Sequence, residues 1–316
     1  MLNILEHKRQ MEQLESAIGA GKIANAYLFH GQNGVGKMLV AKAFAAILAC
    51  VSSTKPCGEC IGCKKVENKT HPDVLFREPT GEKLLTISID DIRSLNRDIQ
   101  FHPMEMKNKV AIIRDAEMMT QAAQNSLLKL LEEPPANTHL ILVTGSLGAI
   151  LPTIRSRCQK IAFSSISEAA IVGKLMEMDI EEVQALKIAR IAEGSLGVAT
   201  KLSVDLIDGV VEKFLTIALG GSSADVLALA EEWSNAEEAP SLICDILISL
   251  YRDATKRLSS LDGYRPIYTN SLSISMDEGL SIIEKLIGVR ELLMNSTVNK
   301  RLIFESLLFS LPSAKL

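Results

Sequence analysis

Aromatic residues are scarce in this sequence of 316 residues, where 1 Trp, 4 Tyr and 8 Phe make up 4% of the chain. A surface that stacks single-stranded bases on aromatic rings is therefore poorly supplied. An excess of positive charge is also lacking, since 34 Lys and Arg face 38 Asp and Glu for a net charge of −4. Non-specific DNA affinity comes mostly from phosphate neutralisation by Lys and Arg, so the composition argues against a chain that coats DNA by itself.

Long apolar runs are missing as well. The sequence contains no stretch of about 18 uncharged apolar residues, so we expect no membrane span. The first ten residues include Glu6, Lys8 and Arg9, which is unlike the apolar centre of a signal peptide. We therefore expect a cytoplasmic, reducing location, where the six cysteines are free thiols or metal ligands rather than disulfides.

The first half of the chain alternates short apolar runs with helical patterns. Helices are predicted at 38–50 and 115–133, and strands at 26–30, 74–76, 85–87, 109–113 and 139–144. Strands that alternate with crossover helices favour an α/β fold, in which helices cover both faces of a parallel sheet.

Strand signals stop at about Phe163, and the rest of the chain shows helical periodicity. We expect a P-loop-like α/β domain at 1–163 and a small helical lid domain at 164–203. For the remainder, 204–316, we predict an all-helical C-terminal domain of about five helices. Three segments agree with the two or three domains that this length allows.

A glycine-rich motif, G-x-x-x-x-G-K, lies between a predicted strand and a predicted helix. It comprises Gly31, Gly34, Gly36 and Lys37. The glycines allow backbone N–H groups to face a phosphate, the helix N-terminus adds its dipole, and Lys37 would reach the β and γ phosphates of a nucleotide. The motif predicts a phosphate-binding loop rather than an ordinary glycine turn.

Two positions that would hold Mg²⁺ are altered. Met38 follows Lys37 where the motif has Ser or Thr, and a thioether is a poor ligand for a hard cation. After the strand 109–113, Arg114 stands where a metal-orienting acid is expected. Asp115 would serve as that acid if the metal-binding position lies one residue later in the sequence. We therefore expect no Mg²⁺ at this site and no hydrolysis, while binding of ATP or ADP through Lys37 stays open.

Four cysteines lie within fourteen residues: Cys50, Cys57, Cys60 and Cys63. The spacing C-x6-C-x2-C-x2-C, with glycines at the turns, fits a closed tetrahedral zinc site of structural type. Redox pairs or free thiols are the alternative. We predict a zinc knuckle at 50–63, inserted into the first domain after its phosphate-loop helix.

Several motifs together resemble the AAA+ clamp-loader subunits of bacterial replication. They include the phosphate loop, the four-cysteine insert and the run Q-N-S-L-L-K-L-L-E-E-P-P at 124–135. The S-R-C triplet at 156–158 belongs to the same set, as does the run N-S-T-V-N-K-R-L-I-F-E at 295–305, which is similar to a pattern of the family's collar domain. The resemblance covers essentially the whole chain.

The replacement of the metal-binding hydroxyl and acid by Met38 and Arg114 resembles the delta prime type of subunit within this family. The active motor subunits (gamma and tau) keep both the hydroxyl and the acid. Gly197 also stands where a lid arginine is expected. The resemblance implies a subunit of a DNA polymerase III holoenzyme without ATPase activity of its own. It also implies that Arg157 of the S-R-C motif enters the ATP site of a neighbouring motor subunit, with Arg155 close enough to support it, and that Thr144 lies where a γ-phosphate sensor sits.

The same resemblance implies the partners: gamma or tau motor subunits, the delta subunit, the sliding clamp, and primer–template DNA held by the assembled ring. The helical domain at 204–316 would be the collar through which the subunits assemble. Lysines 107, 109 and 129 are open to DNA contact, but we assign no DNA-binding site.

Two other functions stay open from the residues alone. The chain would be an active motor subunit if Asp115 served as the metal acid for Lys37. It would be a zinc-bearing DNA adaptor unrelated to ATP if its DNA affinity survived removal of all partners and of the metal at Cys50 to Cys63.

Overall fold

The computed structural model describes residues 4–81, 85–236, 240–258, 268, 272, 274–293 and 298–311. Contacts divide the chain into two compact units, Met1–Ala170 and Ile171–Leu316. The division of the sequence into an α/β domain at 1–163, a lid at 164–203 and a collar at 204–316 stays a prediction.

The first unit is built on a parallel sheet. Its strands are β1 (Ala26–His30), β2 (Val74–Arg77), β3 (Lys109–Ile113), β4 (Thr138–Thr144) and β5 (Gln159–Ala162). They lie in the order β2-β3-β4-β1-β5. In the register of β1 with β4, His30 pairs with Thr144, so these two strands end level with each other. The loops that follow the strands therefore meet at one edge of the sheet.

Helices of the first unit cover both faces of this sheet. On one face Leu28 of β1 belongs to a core with residues of the helices before β3 and β4, and on the other Tyr27 lies near both Phe29 and Phe44. All residues of β3 and β4 are buried, which is why these strands read as continuous apolar runs. The helices are α1 (Lys8–Gly19), α2 (Lys37–Ala49), α3 (Ile61–Glu67), α4 (Ile89–Asp98), α5 (Gln121–Glu132) and α6 (Pro152–Arg157).

The rest of the described chain is helical. Tyr251 packs edge-on against Phe214, and Trp233 packs edge-on against Phe304, in the core of the second unit. Residues 295–297 of the predicted collar motif lie outside the described residues. The helices are α7 (Glu168–Met176), α8 (Glu182–Ala192), α9 (Leu196–Ala199), α10 (Val204–Ala218), α11 (Ser223–Ser234), α12 (Pro240–Leu258), α13 (Met276–Leu293) and α14 (Lys300–Ser310).

The helix predicted at 115–133 is shorter than expected. Asp115 adopts a left-handed backbone conformation with φ of 49°, and only a short 3-10 turn follows it at Ala116–Met118. Thr120 then caps α5, because its side chain accepts a hydrogen bond from the N–H of Ala123 at 3.1 Å. An N-cap residue has an extended, non-helical backbone, so α5 begins after Thr120 and is not continuous with the 3-10 turn before it.

The strand predicted at 85–87 is wrong. Thr86 forms a single antiparallel bridge with Thr80, and Ile87 forms a single parallel bridge with Met119, so neither belongs to the sheet. Ser88 follows at once as the N-cap of α4, with a reciprocal hydrogen-bond pair to Asp91. This capping box ends the extended segment before it can grow into a strand.

Candidate functional site

The predicted phosphate loop connects β1 to α2 at the carboxyl edge of the sheet. Gly31 has a φ of +142°, and a Cβ there would lie 2.2 Å from the carbonyl oxygen of Phe163. Gly36 has a φ of +104° at the N-cap of α2. Only glycine combines this backbone conformation with such a close approach, so the strand, loop and helix predicted from the motif are confirmed.

Lys37 points back into the loop that precedes it. Its Nζ donates to the carbonyl oxygens of Gly31 and Gln32, each at 2.6 Å, and lies 3.4 Å from Oδ1 of Asn33. Burial lowers the pKa of Lys37 to about 8, against the opposing attraction of Glu117 and Asp115. In this motif the lysine ammonium is expected to bind phosphate, but here it is bound by backbone carbonyl groups of its own loop.

The residues after β3 form a charged pair beside the loop. The backbone N–H of Arg114 donates to the carbonyl of Arg77 at 2.9 Å. The Nε of Arg114 lies 3.2 Å from Oδ2 of Asp115, and Nη1 lies 3.9 Å from Oε1 of Glu78. Burial raises the pKa of Asp115, although Arg114 opposes it. Asp115 is thus the carboxylate nearest in sequence to the expected metal position, but its counter-ion is the neighbouring arginine.

Thr144 ends β4 next to the loop and is fully buried. Its Oγ1 donates to the carbonyl of Ser146 at 3.0 Å and accepts from the N–H of Ser146 at 3.1 Å. The next N–H, of Gly145, donates to Oε1 of Glu117 at 2.9 Å. The hydroxyl therefore closes a local turn, and its role as a γ-phosphate sensor stays a prediction.

The four cysteines of the predicted knuckle come together at the far end of α2. Cys50 caps α2, Cys60 caps α3, and Cys63 lies within α3. The four Sγ atoms lie within 4.8 Å of one another, and the Sγ atoms of Cys60 and Cys50 are 3.9 Å apart. Zinc–sulfur bonds of about 2.3 Å in a tetrahedron place the sulfurs about 3.8 Å apart, so the cluster fits a structural zinc ion.

Backbone N–H groups face these sulfurs. The N–H of Cys60 lies 3.4 Å from Sγ of Cys57, and the N–H of Cys63 lies 3.4 Å from Sγ of Cys60. The second contact lowers the pKa of Cys60 to about 6, and the first lowers the pKa of Cys57. Thiolates are the form in which cysteine binds metal, so these donors favour the ligating state. His71 follows the cluster in the sequence, and its Nδ1 accepts a hydrogen bond from the N–H of Asp73 at 3.1 Å.

Arg157 lies at the end of α6, close to the end of α5. Its Nη1 donates to the carbonyl oxygen of Thr153 at 3.0 Å, and its Nη2 lies 2.8 Å from Oε1 of Glu132. Its side chain is 38% exposed. The next residue, Cys158, is buried, and burial raises the pKa of its thiol to about 12. The S-R-C triplet thus anchors α6 through an inert thiol and leaves the guanidinium at the surface.

A family model described as DNA polymerase III, delta subunit, matches residues 6–167 of the chain. DNA polymerase III subunit delta' (delta prime) of Bacillus subtilis is 32% identical over 270 residues, which cover 85% of this chain and 78% of the relative. The chain belongs to the delta prime family of DNA polymerase III subunits. The predicted family is confirmed, and so is the predicted α/β fold with helices on a parallel sheet.

Other relatives share a smaller part of the delta prime sequence. DNA polymerase III subunit delta' of Haemophilus influenzae is 36% identical over 148 residues, which are 46% of this chain and 45% of that protein. DNA polymerase III subunit tau of Bacillus subtilis is 37% identical over 186 residues, which are 58% of this chain but 31% of the tau protein. Among the helices described for this delta prime chain, none is long and apolar enough to cross a membrane.

Two buried residues of this delta prime chain were missed from the sequence. Gln124 donates through Nε2 to the carbonyl of Ala149 at 3.1 Å, and its Oε1 accepts from the N–H of Leu151 at 2.9 Å. Asp73 is fully buried and accepts three backbone N–H groups, those of residues 104, 105 and 106, at 2.7 to 2.8 Å. Gln124 lies in the run that carries the resemblance, but no local pattern signals either set of long-range contacts.

Proposed function

We propose that the chain is the non-hydrolysing delta prime subunit of a DNA polymerase III clamp loader, which helps to place the sliding clamp on primed DNA in replication. The observation that carries the proposal is the exposed guanidinium of Arg157 at the end of α6. In this role Arg157 reaches the ATP site of a neighbouring motor subunit.

The state of the chain's own phosphate loop supports the absence of hydrolysis. Lys37 is engaged by backbone carbonyls, Met38 offers no oxygen ligand, and Arg114 brings a positive charge to the position of a metal-binding acid. Phosphoryl transfer depends on Mg²⁺ that neutralises the developing charge. The loop thus keeps its fold, and a nucleotide there would have to displace the contacts of Lys37.

An arginine given in trans needs no active site in the subunit that supplies it. It stabilises charge on the transferring phosphoryl group, and it is worth about 10³ to 10⁵ in rate in the enzymes where it has been removed. Arg157 retains N–H donors beyond its two contacts with Thr153 and Glu132, because a guanidinium has five. A surface arginine of this kind can act without any change in its own subunit.

The partners of this function follow from the family. Similarity to both delta prime and tau proteins supports assembly with gamma or tau motor subunits. We further propose that the ring includes the delta subunit, contacts the sliding clamp and surrounds primer–template DNA. The helices at 204–316 would form the collar that joins the subunits. Zinc in the four-cysteine cluster would be structural, since four thiolates leave no open coordination position.

A second function, an active gamma/tau-type ATPase subunit, is favoured by one observation. Asp115 and Glu117 are close enough to Lys37 to raise its pKa against the effect of burial, so carboxylates do stand beside the phosphate loop. ATP turnover by the purified chain separates the two functions. The proposed function predicts no turnover, whereas a rate that disappears in Lys37→Ala would establish the active ATPase.

The decisive experiment is reconstitution with the motor subunits and primed DNA. Replacing Arg157 by Ala is expected to lower ATP hydrolysis at the site of the neighbouring motor subunit about 10³-fold or more, and to impair clamp loading. Arg155→Ala is the matched control, since Arg155 lies two residues earlier in α6 and carries the same charge. Unchanged hydrolysis in Arg157→Ala, or an equal loss in Arg155→Ala, would contradict the assignment of Arg157.

A further inference from the structure

Glu132 occupies a position that helix electrostatics disfavours. It is the last residue of α5, which ends before Pro134 and Pro135, and its side chain is 51% exposed. The carbonyl end of a helix carries partial negative charge, so a carboxylate there destabilises the helix unless a cation compensates it. Arg157 supplies that cation, with its Nη2 at 2.8 Å from Oε1 of Glu132.

The guanidinium of Arg157 is held from two sides. Nη2 faces Glu132, while Nη1 donates to the carbonyl of Thr153 at 3.0 Å. Contacts on two different terminal nitrogens define the plane of the group, because guanidinium is rigid and planar. Three of its five N–H donors remain for an oxyanion that arrives from outside the subunit.

Glu132 and Arg157 lie on two helices, α5 and α6, that pack against each other. Gln124 of α5 holds the segment before α6 through hydrogen bonds to Ala149 and Leu151. Ile154 of α6 and Leu127 of α5 are fully buried in the same core. The fold thus brings Glu132 to Arg157 before any partner binds, which is how a supporting residue fixes the geometry of a functional one.

We propose that Glu132 is a positioning residue for Arg157, which orients the guanidinium toward the γ-phosphate in the neighbouring subunit. This inference rests on the proposed role of Arg157 in trans. Glu132 does not sequester Arg157, because exposed ion pairs are weak and a phosphate binds guanidinium more strongly than one carboxylate contact. Its contribution is pre-organisation, whose upper limit is the rotamer entropy of an arginine, equivalent to about 30-fold in rate.

ATP hydrolysis by the complex reconstituted with motor subunits and primed DNA tests this role. In Glu132→Gln, which keeps the size and removes the charge, we expect kcat at the ATP site that Arg157 enters to fall about 3- to 5-fold, the range that an exposed ion pair supports. KM for ATP should not change, since the nucleotide site belongs to the motor subunit. The double variant Glu132→Gln/Arg157→Ala should be as slow as Arg157→Ala alone, because Glu132 acts through Arg157.

Glu133→Gln is the matched control, with the same charge change one residue further along the chain. Among the ion pairs of the described residues, Arg157 pairs with Glu132 and not with Glu133, so this variant should stay within about twofold of wild type. Equal rates in Glu132→Gln and Glu133→Gln, or a rate above wild type in Glu132→Gln, would overturn the positioning role. In both cases Arg157→Ala would still be slow, which separates this failure from a failure of the proposed function.

The contact is also measurable in the free subunit, without any partner. Side-chain ¹H–¹⁵N spectra report the Nε–H of arginines, and Arg157→Lys identifies the signal of Arg157. Glu132→Gln should shift and broaden that signal, whereas Glu133→Gln should leave it unchanged. A signal of Arg157 that does not respond to Glu132→Gln would show that the carboxylate does not orient the guanidinium, and the proposal would fail.

Discussion

Lys37 and Arg157 are two cations of the first unit with opposite surroundings. Lys37 is 5% exposed, and its ammonium donates to two carbonyl groups of its own loop. Arg157 is 38% exposed and is held at the surface by one carboxylate and one carbonyl. A cation whose donors are used internally stabilises its own loop, whereas one that keeps free donors at the surface can serve a partner.

The difference shows how a phosphate loop can keep its fold without the residues that hydrolysis needs. The phosphate loop of this chain keeps its glycines, because Gly31 lies against Phe163 and Gly36 begins α2, and both roles are structural. The metal-binding positions of the loop have no comparable structural role, and they are occupied by Met38 and Arg114. On the proposed function, the residue that retains its chemistry is Arg157, which faces outward.

The largest expected effect tests this contrast directly. In the reconstituted complex, Arg157→Ala should lower the rate of ATP hydrolysis at the site that Arg157 enters about 10³-fold or more, because an arginine in trans stabilises the transferring phosphoryl group. Lys37→Ala should change the rate by less than about threefold, since the lysine makes contacts within its own loop. Steady-state phosphate release measures both. Equal losses in the two variants would remove the contrast and show that the phosphate loop of this chain takes part in turnover.

The cysteine cluster lies at the opposite end of α2, the helix that begins with Lys37. It tests whether this part of the first unit keeps a metal site while the phosphate loop does not. We expect the purified chain to hold close to one equivalent of zinc, and we expect Cys60→Ser to lose it. Because metal binding is coupled to folding, loss of zinc should lower the free energy of unfolding by at least about 3 kcal/mol. Elemental analysis and urea unfolding measure the two quantities.

A matched control for the cluster is Cys244→Ala, which removes a buried thiol that lies outside it. This variant should keep its zinc. Zinc that is absent from the wild-type chain, or retained in Cys60→Ser, would contradict the structural site.

Asp73 mirrors Lys37, since its carboxylate is held by backbone N–H groups as the ammonium of Lys37 is held by backbone carbonyls. Burial alone would raise the pKa of Asp73, but the three N–H donors at 104–106 lower it below its usual value. Asp73→Asn should cost about 2 to 3 kcal/mol of unfolding free energy, because an amide nitrogen would then face these donors.

The effect of Asp73 has a defined pH dependence. A lowered pKa in the folded state means that the carboxylate stabilises the fold above its unfolded pKa, near pH 4, and that this contribution is lost as the pH falls through the folded pKa. Urea unfolding at pH 7 and at pH 3 should show a smaller difference between wild type and Asp73→Asn at the lower pH. Asp90→Asn, at an exposed site, should cost under about 0.5 kcal/mol, and an equal cost for both variants would exclude the buried network.

The parts of the fold that the sequence predicts are those with a local signature. β1, β3 and β4 are apolar runs because helices cover both of their faces. β5 was missed because it pairs only with β1 at the edge of the sheet, and of its four residues only Ile161 is buried. An edge strand of mixed polarity has no period that separates it from a loop.

The site divides in the same way. The four cysteines are close in sequence, so their spacing alone predicts the cluster. Glu132 and Arg157 are 25 residues apart, and their contact depends on how α5 packs against α6. Nor does the sequence indicate that Lys37 turns back to its own loop, since the same motif serves a lysine that binds phosphate. Long-range packing and side-chain direction are the physical reasons for what was missed.

The smallest effect concerns the protonation of Lys37 itself. Because burial lowers its pKa to about 8 while the unfolded chain keeps a value near 10.5, the unfolded state binds more protons between these two pH values. The free energy of unfolding should therefore rise with pH in this window, by about 1 kcal/mol between pH 7 and pH 9.

Lys37→Met carries no proton at this position and should lack that rise, whatever its stability at pH 7. Urea unfolding of both proteins at the two pH values gives the difference, in which groups common to both cancel. A parallel pH dependence in wild type and variant would mean that the ammonium of Lys37 is as well solvated as in an unfolded chain. The loop would then be open to phosphate, and the contrast with Arg157 would no longer hold.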